Sequence, residues 1–346
     1  KFYKKTKPSP YDEAISLIWY LENVFYHSAS TIYTYIKRHI FNKASLENSI
    51  FDFGFWPGGD RDGNPYVTPE ITLKTAESLK FSILRNYFRE VRKMKRSLTF
   101  NGLDEILDVL ENDLYATLFS KDKPDHFNID YFEKVLDNIH QIIINQTDGL
   151  YESLILDLKH KVKIFGFHFA SLDIRQDSRI HKKVFDEIFS HPDIGNYVKG
   201  LPEDFKKLDT PSRHKVLTTL RGNVPAKIFE TTITKETLGS IRAMRIIQER
   251  NGERGCNRYI ISNCQTIDDI LELFALHKIC NWDQPTVDII PLFETIPDLK
   301  VCEKIMQTLF ENEQYRKHLA SRGDKQTVML GFSDGTKDGG YFMANW

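Results

Sequence analysis

The chain has 346 residues, of which 41% are hydrophobic and 12% aromatic, enough for a sizeable core and, by length, roughly two domains. Its 47 basic and 48 acidic residues leave a net charge of -1, which gives no electrostatic reason to expect nucleic acid or an anionic membrane as the main partner. No apolar run approaches the roughly 18 residues of a membrane span, and the first residues do not follow a signal-peptide pattern.

The cysteines indicate the compartment of the protein, and the two ends of the sequence indicate whether it is part of a longer chain. The four cysteines form no CxxC pair, which is typical of a reduced, cytoplasmic protein. The sequence begins at Lys1 without a methionine and stops at Trp346, directly after its most polar segment. We therefore expect a piece of a longer protein.

The N-terminal part is predicted to be mainly helical. A serine–proline pair followed by two acids, within residues 9–13, predicts a capped helix start, and a second helix is expected over Ser30–Phe41. A short buried strand, Ile50–Phe55, is predicted to lead into a glycine-rich loop, Trp56–Pro65. Thr68 then caps a long helix with one apolar face.

Three further helices are predicted in the middle of the chain, over Leu103–Leu118, Tyr131–Ile144 and Leu150–Lys161. The segment Phe165–Leu172 then alternates between apolar and smaller or polar residues, which predicts a strand. A helix over Ser178–Ser190 is expected to follow it.

From residue 258 onward, strands and helices alternate. Strands are predicted over Arg258–Ser262, Val287–Leu292 and Thr327–Phe332, and the helices between them begin after Thr266 and at Pro297. This alternation with short loops favours a parallel sheet with right-handed crossovers. With the two earlier strands, about five strands stand among roughly a dozen helices, which predicts a helix-dominated α/β fold containing part of a (β/α)8 barrel. Residues 165–346 would form the β/α barrel portion and residues 1–164 a mainly helical portion.

Charged side chains follow the carboxyl ends of the predicted strands. If these strands are parallel, their carboxyl ends share one rim, which is where barrel enzymes hold their active sites. The residues concerned are Asp60, Arg61, Asp62, Arg175, Glu294, Asp334 and Lys337.

The residue types at these ends suit one kind of chemistry. Glu294 and Asp334 would share a hard divalent cation, Mg²⁺ or Mn²⁺, which one or two carboxylates typically hold. Arg175 offers a planar fork for a carboxylate or phosphate, and Lys337 adds a mobile positive charge. This combination suits an anionic phosphorylated substrate and a developing enolate.

Each of these residues also has a structural interpretation. Glu294 would cap the next helix, Asp334 would cap a turn, and Arg175 would pair with Asp173 or Asp177. Each alternative is stronger for a single residue taken alone. The joint occurrence of such residues at several strand ends favours the functional interpretation.

Two other candidate features are rejected. Residues 60–64 superficially resemble a calcium loop, but Pro65 and Ile71 stand where that loop requires glycine and a bidentate glutamate. His168, on a predicted strand, is more typical of a packed histidine than of a catalyst. The sequence has no zinc-protease motif, serine nucleophile elbow, Walker loop or dinucleotide fingerprint.

Several segments resemble, in the same order, segments of bacterial and plant phosphoenolpyruvate carboxylases. The resemblance covers essentially the whole chain, and the last segment is close to a family signature. The segments are KPSPYDEA (residues 7–14), GGDRDGNP (58–65), LDIRQ (172–176), PLFET (291–295) and VMLGFSDGTKDGG (328–340).

The resemblance implies a helix-rich barrel that joins phosphoenolpyruvate to bicarbonate, giving oxaloacetate and phosphate with Mg²⁺ or Mn²⁺. This is anaplerotic carbon fixation feeding the tricarboxylic acid cycle, carried out by a cytoplasmic homotetramer. It also implies that Glu294 and Asp334 are metal ligands, that Arg175 binds the substrate phosphate, and that Lys337 is an active-site lysine. Residues 60–62 would belong to an active-site loop.

The sequence departs from the family pattern in two ways. Phe332 and Gly335 replace the usual tyrosine and serine of the last segment. The family's TAHPT motif, with its catalytic histidine, and its HGRGG loop do not occur in this sequence. We therefore expect a central portion of such an enzyme that is inactive by itself.

Two other functions stay open. One is a different magnesium-dependent barrel enzyme that handles phosphoenolpyruvate or an enolate without carboxylation. The other is a helical scaffold that retains the motifs without turnover. Bicarbonate-dependent formation of oxaloacetate by the whole protein would separate all three.

Overall fold

The computed structural model of the chain describes residues 7–40 and 51–345. The chain divides into two compact units. Unit 1 contains residues 1–55, 74–171 and 250–255, and unit 2 contains residues 56–73, 172–249 and 256–346.

Helices dominate the described residues, which form thirteen α-helices and seven strands. The helices are α1 (Pro10–Tyr20), α2 (Tyr26–His39), α3 (Pro69–Ser97), α4 (Leu103–Phe119), α5 (Ile129–Thr147), α6 (Glu152–Phe165), α7 (Ser178–Ser190), α8 (Thr210–Thr219), α9 (Thr232–Asn251), α10 (Ile267–Lys278), α11 (Ile296–Glu311), α12 (Glu313–Ser321) and α13 (Phe332–Asn345). The strands are β1 (Gly54–Phe55), β2 (Ser171–Asp177), β3 (Val198–Lys199), β4 (Arg221–Gly222), β5 (Arg258–Ser262), β6 (Asp288–Phe293) and β7 (Met329–Leu330).

The predicted helix start at the beginning of the chain is confirmed. The Ser9 side chain accepts the N–H of Asp12, and the Asp12 carboxylate accepts the N–H of Ser9, which forms a capping box. Pro10 occupies the first helical position, where its missing N–H costs nothing because no intrahelical partner exists there.

The second helix begins earlier than predicted. A π-helical turn over Leu21–Phe25 joins α1 directly to α2, so α2 begins at Tyr26 rather than at Ser30. The predicted end of this helix, Phe41, lies outside the described residues. Tyr26 is buried, and its ring lies against other aromatic rings of unit 1, which explains why the helix continues through this point.

The prediction of a strand over Phe165–Leu172 is wrong. α6 continues to Phe165, Gly166 (φ 49°) then turns the chain, and β2 begins only at Ser171. The alternating phenylalanines instead enter an aromatic cluster of unit 1, where Phe167 stacks on Phe127 with ring centroids 5.5 Å apart. A turn followed by packing into an aromatic cluster thus produces a sequence in which every second residue is aromatic, although these residues form no β-strand.

An open sheet of five strands carries the predicted parallel arrangement. Its order is β1-β2-β5-β6-β7, and the β2/β5, β5/β6 and β6/β7 pairs are parallel. Asp173 lies opposite Arg258, and Leu292 lies opposite Met329. β3 and β4 form a separate antiparallel pair. Because parallel strands run in one direction, the carboxyl ends of β2, β5, β6 and β7 lie at one edge.

The predicted strand bounds agree with the structure to different degrees. β5 has the predicted bounds, and β6 is displaced by one residue from Val287–Leu292. β1 and β7 are only two residues long within the predicted ranges Ile50–Phe55 and Thr327–Phe332, and Ile50 lies outside the described residues. On the sheet, Ile260, Ile290 and Leu292 form a buried cluster against which Trp56 and Met329 pack.

Capping boxes begin the two helices that follow β5 and β6. Thr266 and Asp269 exchange side-chain and backbone hydrogen bonds at the start of α10, and Thr295 and Asp298 do so at the start of α11. These local signals fix the length of the connection after each strand. They explain why the helix starts in this part of the chain were predicted closely.

No helix formed by the described residues is both long and apolar enough to cross a lipid bilayer. The four cysteines are free thiols, and Cys256, Cys264 and Cys280 are buried. Burial raises the pKa of the Cys280 thiol to about 11, so this thiol is held in its protonated form.

Unit 2 buries several histidines in their neutral form. His181 is fully buried, and its Nε2 lies 2.9 Å from the hydroxyl of Tyr259. Burial, together with the nearby charge of Arg61, lowers the pKa of His181 to about 3. Burial likewise lowers the pKa of His277 and of His318 to about 4. An unfolded histidine has a pKa of about 6.5, so the unfolded chain binds protons here that the folded chain does not.

We expect the stability of the protein to fall as the pH drops from about 6.5 towards 4, by up to about 1.4 kcal/mol per pH unit for each such histidine. The full stability is present above the pKa of the unfolded histidines, because these side chains are then neutral in both the folded and the unfolded chain. His181→Gln should reduce this slope, since glutamine can bond Tyr259 but does not titrate. Urea unfolding at pH 7, 6 and 5 measures the slope. His27→Gln, at an exposed position of α2, is the control, and an unchanged slope in His181→Gln would contradict the expectation.

Candidate functional site

Arg175 lies within β2, not after it as predicted, because β2 begins six residues later than the predicted strand. Its Cα is paired with that of Ile260 on β5. On its other side, the glycine-rich loop forms a parallel bridge to β2. The N–H of Arg175 donates to the carbonyl of Gly59 (3.2 Å), and the N–H of Arg61 donates to the carbonyl of Arg175 (2.9 Å). The loop therefore extends the sheet edge at this point.

Gly59 has to be glycine for the loop to approach β2 so closely. A Cβ placed on this residue would lie 2.0 Å from the carbonyl oxygen of Asp173. Gly58 has a φ of 84°, in the region that glycine adopts most readily. The hydroxyl of Thr72, in the first turn of α3, donates to the Gly58 carbonyl at 2.7 Å. The two glycines thus bring the charged residues that follow them to β2.

The guanidinium of Arg175 is held by two carboxylates and an indole. Its Nε donates to Asp60 Oδ1 at 2.9 Å, and its Nη2 lies 3.6 Å from Asp62 Oδ2. It lies 4.9 Å from the ring centroid of Trp56, whose Nε1–H donates to Asp60 Oδ2 at 2.7 Å. The side chain is still 22% exposed, so part of the guanidinium faces solvent.

The predicted structural partners of Arg175 are wrong. Asp173 is paired instead with Arg258 (2.6 Å), and Asp177 accepts hydrogen bonds from Arg179. Residues 173, 175 and 177 lie on the same face of β2, but the carboxylates of Asp173 and Asp177 are already engaged by Arg258 of the neighbouring strand and by Arg179. The ion-pair partners of Arg175 are Asp60 and Asp62, although Asp173 and Asp177 are closer to it in the sequence.

Glu294 follows the last residue of β6 and is held by the backbone beyond β5. Its Oε2 accepts the N–H of Asn263 at 3.1 Å, and Asn263 adopts a left-handed conformation (φ 52°). The hydroxyl of Ser178 donates to the carbonyl of Asn263 at 2.6 Å and fixes this turn. The proposal that Glu294 caps the next helix is wrong, because Thr295 caps α11.

Gly331 brings Glu294 and Asp334 together. A Cβ placed on Gly331 would lie 3.1 Å from Glu294 Cα, 3.2 Å from Glu294 Cγ and 3.4 Å from Asp334 Oδ2. Glu294 Cγ and Asp334 Oδ2 therefore both lie close to the space that a side chain at position 331 would occupy. The N–H of Gly331 donates to the carbonyl of Phe293 at 2.8 Å, which fixes it beside the end of β6.

The charges around Glu294 show how crowded this edge is with acids. Burial raises the pKa of the Glu294 carboxyl above its ordinary value, the N–H of Asn263 opposes the shift, and the charges of Asp334 and Asp62 add to it. The charge of Arg175 acts in the opposite direction. Glu294 thus lies within electrostatic range of Asp334, Asp62 and Arg175.

The polar segment Ser333–Gly340 is helical, because α13 covers it. Asp334 lies in the first turn of this helix instead of capping a separate turn. The helix changes direction at Gly340 (φ 79°, ψ 163°). A Cβ on Gly339 would lie 2.4 Å from Ile296 Cγ1, and Asp338 accepts the N–H of Ile296 at 2.9 Å, at the start of α11. Gly339 and Asp338 therefore dock α13 onto α11.

Lys337 is 75% exposed on α13, with its Nζ 3.7 Å from Asp334 Oδ1. It is thus close to one of the two predicted metal ligands while its side chain is free to move in solvent. His168, which the sequence predicts to be a packed histidine, is buried in unit 1.

The donor set fits a hard cation in part. Two carboxylates with no soft ligand beside them suit Mg²⁺ or Mn²⁺. Burial raises the pKa of Glu294, the charge of Asp334 adds to this shift, and a cation would oppose both effects. Within residues 7–40 and 51–345, no group of three or more histidine, cysteine, aspartate or glutamate side chains could hold a metal ion. The remaining ligands would have to be water, substrate or groups from elsewhere.

Three residues of this edge were not predicted from the sequence. Trp56 directly precedes the Pro-Gly-Gly turn, and its position next to the charged loop was the available signal. Gly331 interrupts the last apolar run and could have been read as a point of close approach. Asn263 carries no local signal, because its role depends on a backbone N–H.

Comparison with known proteins places these residues in a family. A family model described as phosphoenolpyruvate carboxylase matches residues 1–128 and 111–346. The phosphoenolpyruvate carboxylase of Nitrosomonas eutropha is 32% identical over 360 aligned residues, which cover 90% of this chain and 38% of that protein. The enzyme of Thermosynechococcus vestitus is 30% identical over a region that covers 85% of this chain and 34% of that protein. The enzyme of Trichormus variabilis is 28% identical over 98% of this chain and 41% of that protein.

The chain spans about two-fifths of the length of the curated relatives it matches. The family match, by contrast, extends from the first residue of the chain to the last. This chain belongs to the phosphoenolpyruvate carboxylase family.

Proposed function

We propose that the whole protein containing this chain is a phosphoenolpyruvate carboxylase, which converts phosphoenolpyruvate and bicarbonate to oxaloacetate and phosphate. The observation that carries the proposal is the meeting of Arg175, Glu294 and Asp334 at one sheet edge, within the segments that resemble the family. The close approach of both Glu294 and Asp334 to Gly331 supports this arrangement. Formation of oxaloacetate by the whole protein, dependent on both substrates, tests it.

Each residue has a role that its surroundings support. Arg175 would bind the phosphate of the substrate through the part of its guanidinium that faces solvent, because a planar fork matches two phosphate oxygens. Glu294 and Asp334 would hold Mg²⁺ or Mn²⁺, which would supply positive charge to the anionic substrate and to the enolate. Lys337 would bring a further positive charge from α13.

Asp60, Asp62 and Trp56 would orient Arg175 instead of contacting the substrate. Because two carboxylates and an indole already fix the guanidinium, little side-chain freedom is left to lose when phosphate binds. Asn263 would orient Glu294 in the same way, through its N–H. These groups therefore prepare the site before substrate arrives.

The finer features of the family complete the proposal. The five-stranded sheet would be part of a closed (β/α)8 barrel in the whole protein, which would act as a cytoplasmic homotetramer. The parallel order of β2, β5, β6 and β7 supports the barrel.

We expect this chain alone not to catalyse carboxylation. Groups that act as a unit lose orders of magnitude in rate when members are absent, and neither TAHPT nor HGRGG occurs in the sequence. Oxaloacetate formation can be measured for the chain and for the whole protein side by side. Similar turnover by both would contradict this expectation.

We expect the chain to bind Mg²⁺ only weakly, because two carboxylates provide part of an octahedral shell and substrate oxygens normally provide more. Isothermal calorimetry on the chain measures the affinity. Asp334→Asn and Glu294→Gln should each abolish the weak binding, whereas Glu303→Gln, at an exposed position on α11, should not. Micromolar or tighter binding that survives Asp334→Asn would rule out the assigned ligands.

In the whole protein, Arg175→Lys should lower the carboxylation rate roughly 10²-fold, if the lost interaction strengthens by about 2.7 kcal/mol in the transition state. Lysine keeps the positive charge near Asp60 and Asp62 but loses the fork that matches phosphate. Kinetics and melting temperature should be measured on one preparation. Arg258→Lys, which alters a second arginine–aspartate pair of the same sheet, is the control and should retain the rate.

A purely structural role for Arg175 predicts a different result. The change would then lower the melting temperature, through the lost hydrogen bond to Asp60, and leave the rate per folded molecule unchanged. That outcome would end the proposal that Arg175 binds substrate.

A further inference from the structure

Arg61 is the one cationic residue of the glycine-rich loop Trp56–Pro65, and it points away from the predicted site. Its side chain is only 4% exposed. Its neighbours Asp60 and Asp62 contact Arg175 instead. The segment runs parallel to β2 at this point, and successive side chains of an extended segment point to opposite faces. Arg61 therefore faces the interior of unit 2 while the two aspartates face Arg175.

The guanidinium of Arg61 ties the loop down at two points. Its Nη2 lies 3.0 Å from Glu236 Oε2 in the second turn of α9, and its Nε donates to the carbonyl of Val67 at 3.2 Å. The hydrogen bond to Val67 closes the loop over six residues. The ion pair with Glu236 fastens the closed loop to α9, a helix of twenty residues.

A second contact on α9 confirms that this helix is the platform for the loop. A Cβ placed on Gly239 would lie 2.9 Å from Pro69 Cγ, so the residue that begins α3 packs closely on α9 one turn after Glu236. The loop is thus held to α9 both at Arg61 and immediately after its end. The loop is also bonded to β2, through two backbone hydrogen bonds with Arg175, and to α3, through the hydroxyl of Thr72.

Resting on the function proposed above, we propose that Arg61 and Glu236 form a positioning pair, which sets the place of Asp60 and thereby the orientation of the Arg175 guanidinium. Neither residue would touch the substrate. The buried ion pair holds the loop on α9, and the loop in turn presents Asp60, Asp62 and Trp56 to Arg175. Loosening the pair should leave the fold in place but let Arg175 leave its fixed orientation.

Glu236→Gln and Arg61→Lys are the test variants. Glu236 is 25% exposed, so glutamine can be accommodated there, whereas removing the Arg61 side chain outright would leave a half-buried carboxylate without this partner. Arg61→Lys keeps the charge but loses the fork that reaches Glu236 and Val67 together. Arg322→Met is the control, because Arg322 forms a similarly buried pair with Asp288 (2.8 Å) at the start of β6, away from the loop.

Hydrogen–deuterium exchange, followed by mass spectrometry in the whole protein, reports the loop directly. In both test variants, the amides of residues 60–64, 66 and 67 and the amide of Arg175 should exchange roughly tenfold faster, since the loop loses a hydrogen bond between charged groups. The amides of β5 and β6 should not change. Arg322→Met should leave the loop amides unchanged. Equal acceleration throughout unit 2, or none in the loop, would overturn the proposal.

Kinetics in the same protein separate positioning from stability. Glu236→Gln should lower kcat/KM for phosphoenolpyruvate roughly tenfold, as expected when a binding group loses its orientation. This loss should disappear when the change is made in an Arg175→Lys background, because the two residues act on the same interaction. Additive losses would instead indicate that Glu236 acts through stability alone, which overturns the proposal.

The two proposals fail in distinguishable ways. If Glu236→Gln loosens the loop but Arg175→Lys leaves the rate unchanged, then Arg61 positions Arg175 and the assigned role of Arg175 is wrong. If Arg175→Lys lowers the rate while Glu236→Gln changes neither exchange nor kcat/KM, the positioning pair is wrong and the proposed function remains.

Discussion

The parallel ladder of β2, β5, β6 and β7 is the constraint on which unit 2 depends. Because its strands run in one direction, each connection has to cross back over the sheet, and the helices of unit 2 serve this purpose. The carboxyl ends then meet at one edge, so that Arg175, Asn263, Glu294 and Asp334 come from four different strands or their ends. The ladder therefore brings together residues that are far apart along the chain, such as Arg175 and Asp334, which are 159 positions apart.

The edge is rich in acids, and its one strand-borne arginine compensates them unevenly. Arg175 is bonded to Asp60 and close to Asp62, and Lys337 lies 3.7 Å from Asp334. Burial raises the pKa of Glu294, and the charges of Asp334 and Asp62 add to this shift. Four carboxylates thus stand beside two cations, so this group of six side chains carries excess negative charge that a bound cation would reduce.

Local signals predicted much of the fold. Helix starts marked by Ser9, Thr266 and Thr295 were predicted well because a capping box is encoded within four residues. The buried strand β5 has the predicted bounds because its apolar run is short and bounded on both sides. The grouping of charged residues at one edge followed from parallel strands and needed no side-chain detail.

The errors arose where distant contacts decide the structure. The Phe165–Leu172 segment alternates because its rings enter an aromatic cluster, and Gly339 allows α13 to dock on α11. The partner of Arg175 is Asp60, 115 residues away, although acids stand two residues from it on either side. Residue patterns alone do not show which of these acids a side chain will face.

The attachment of α13 has a consequence for how the edge responds to a cation. Glu294 lies in a short segment that is fastened on both sides to the chain around α13: Phe293 accepts the N–H of Gly331, and Ile296 donates to Asp338. Asp334, the facing carboxylate, belongs to α13 itself. An ion bridging the two acids would therefore also join the helix to β6, so that ion affinity and helix docking become one linked equilibrium. Conditions that detach the helix would release the ion, and the ion would slow the local unfolding of the helix.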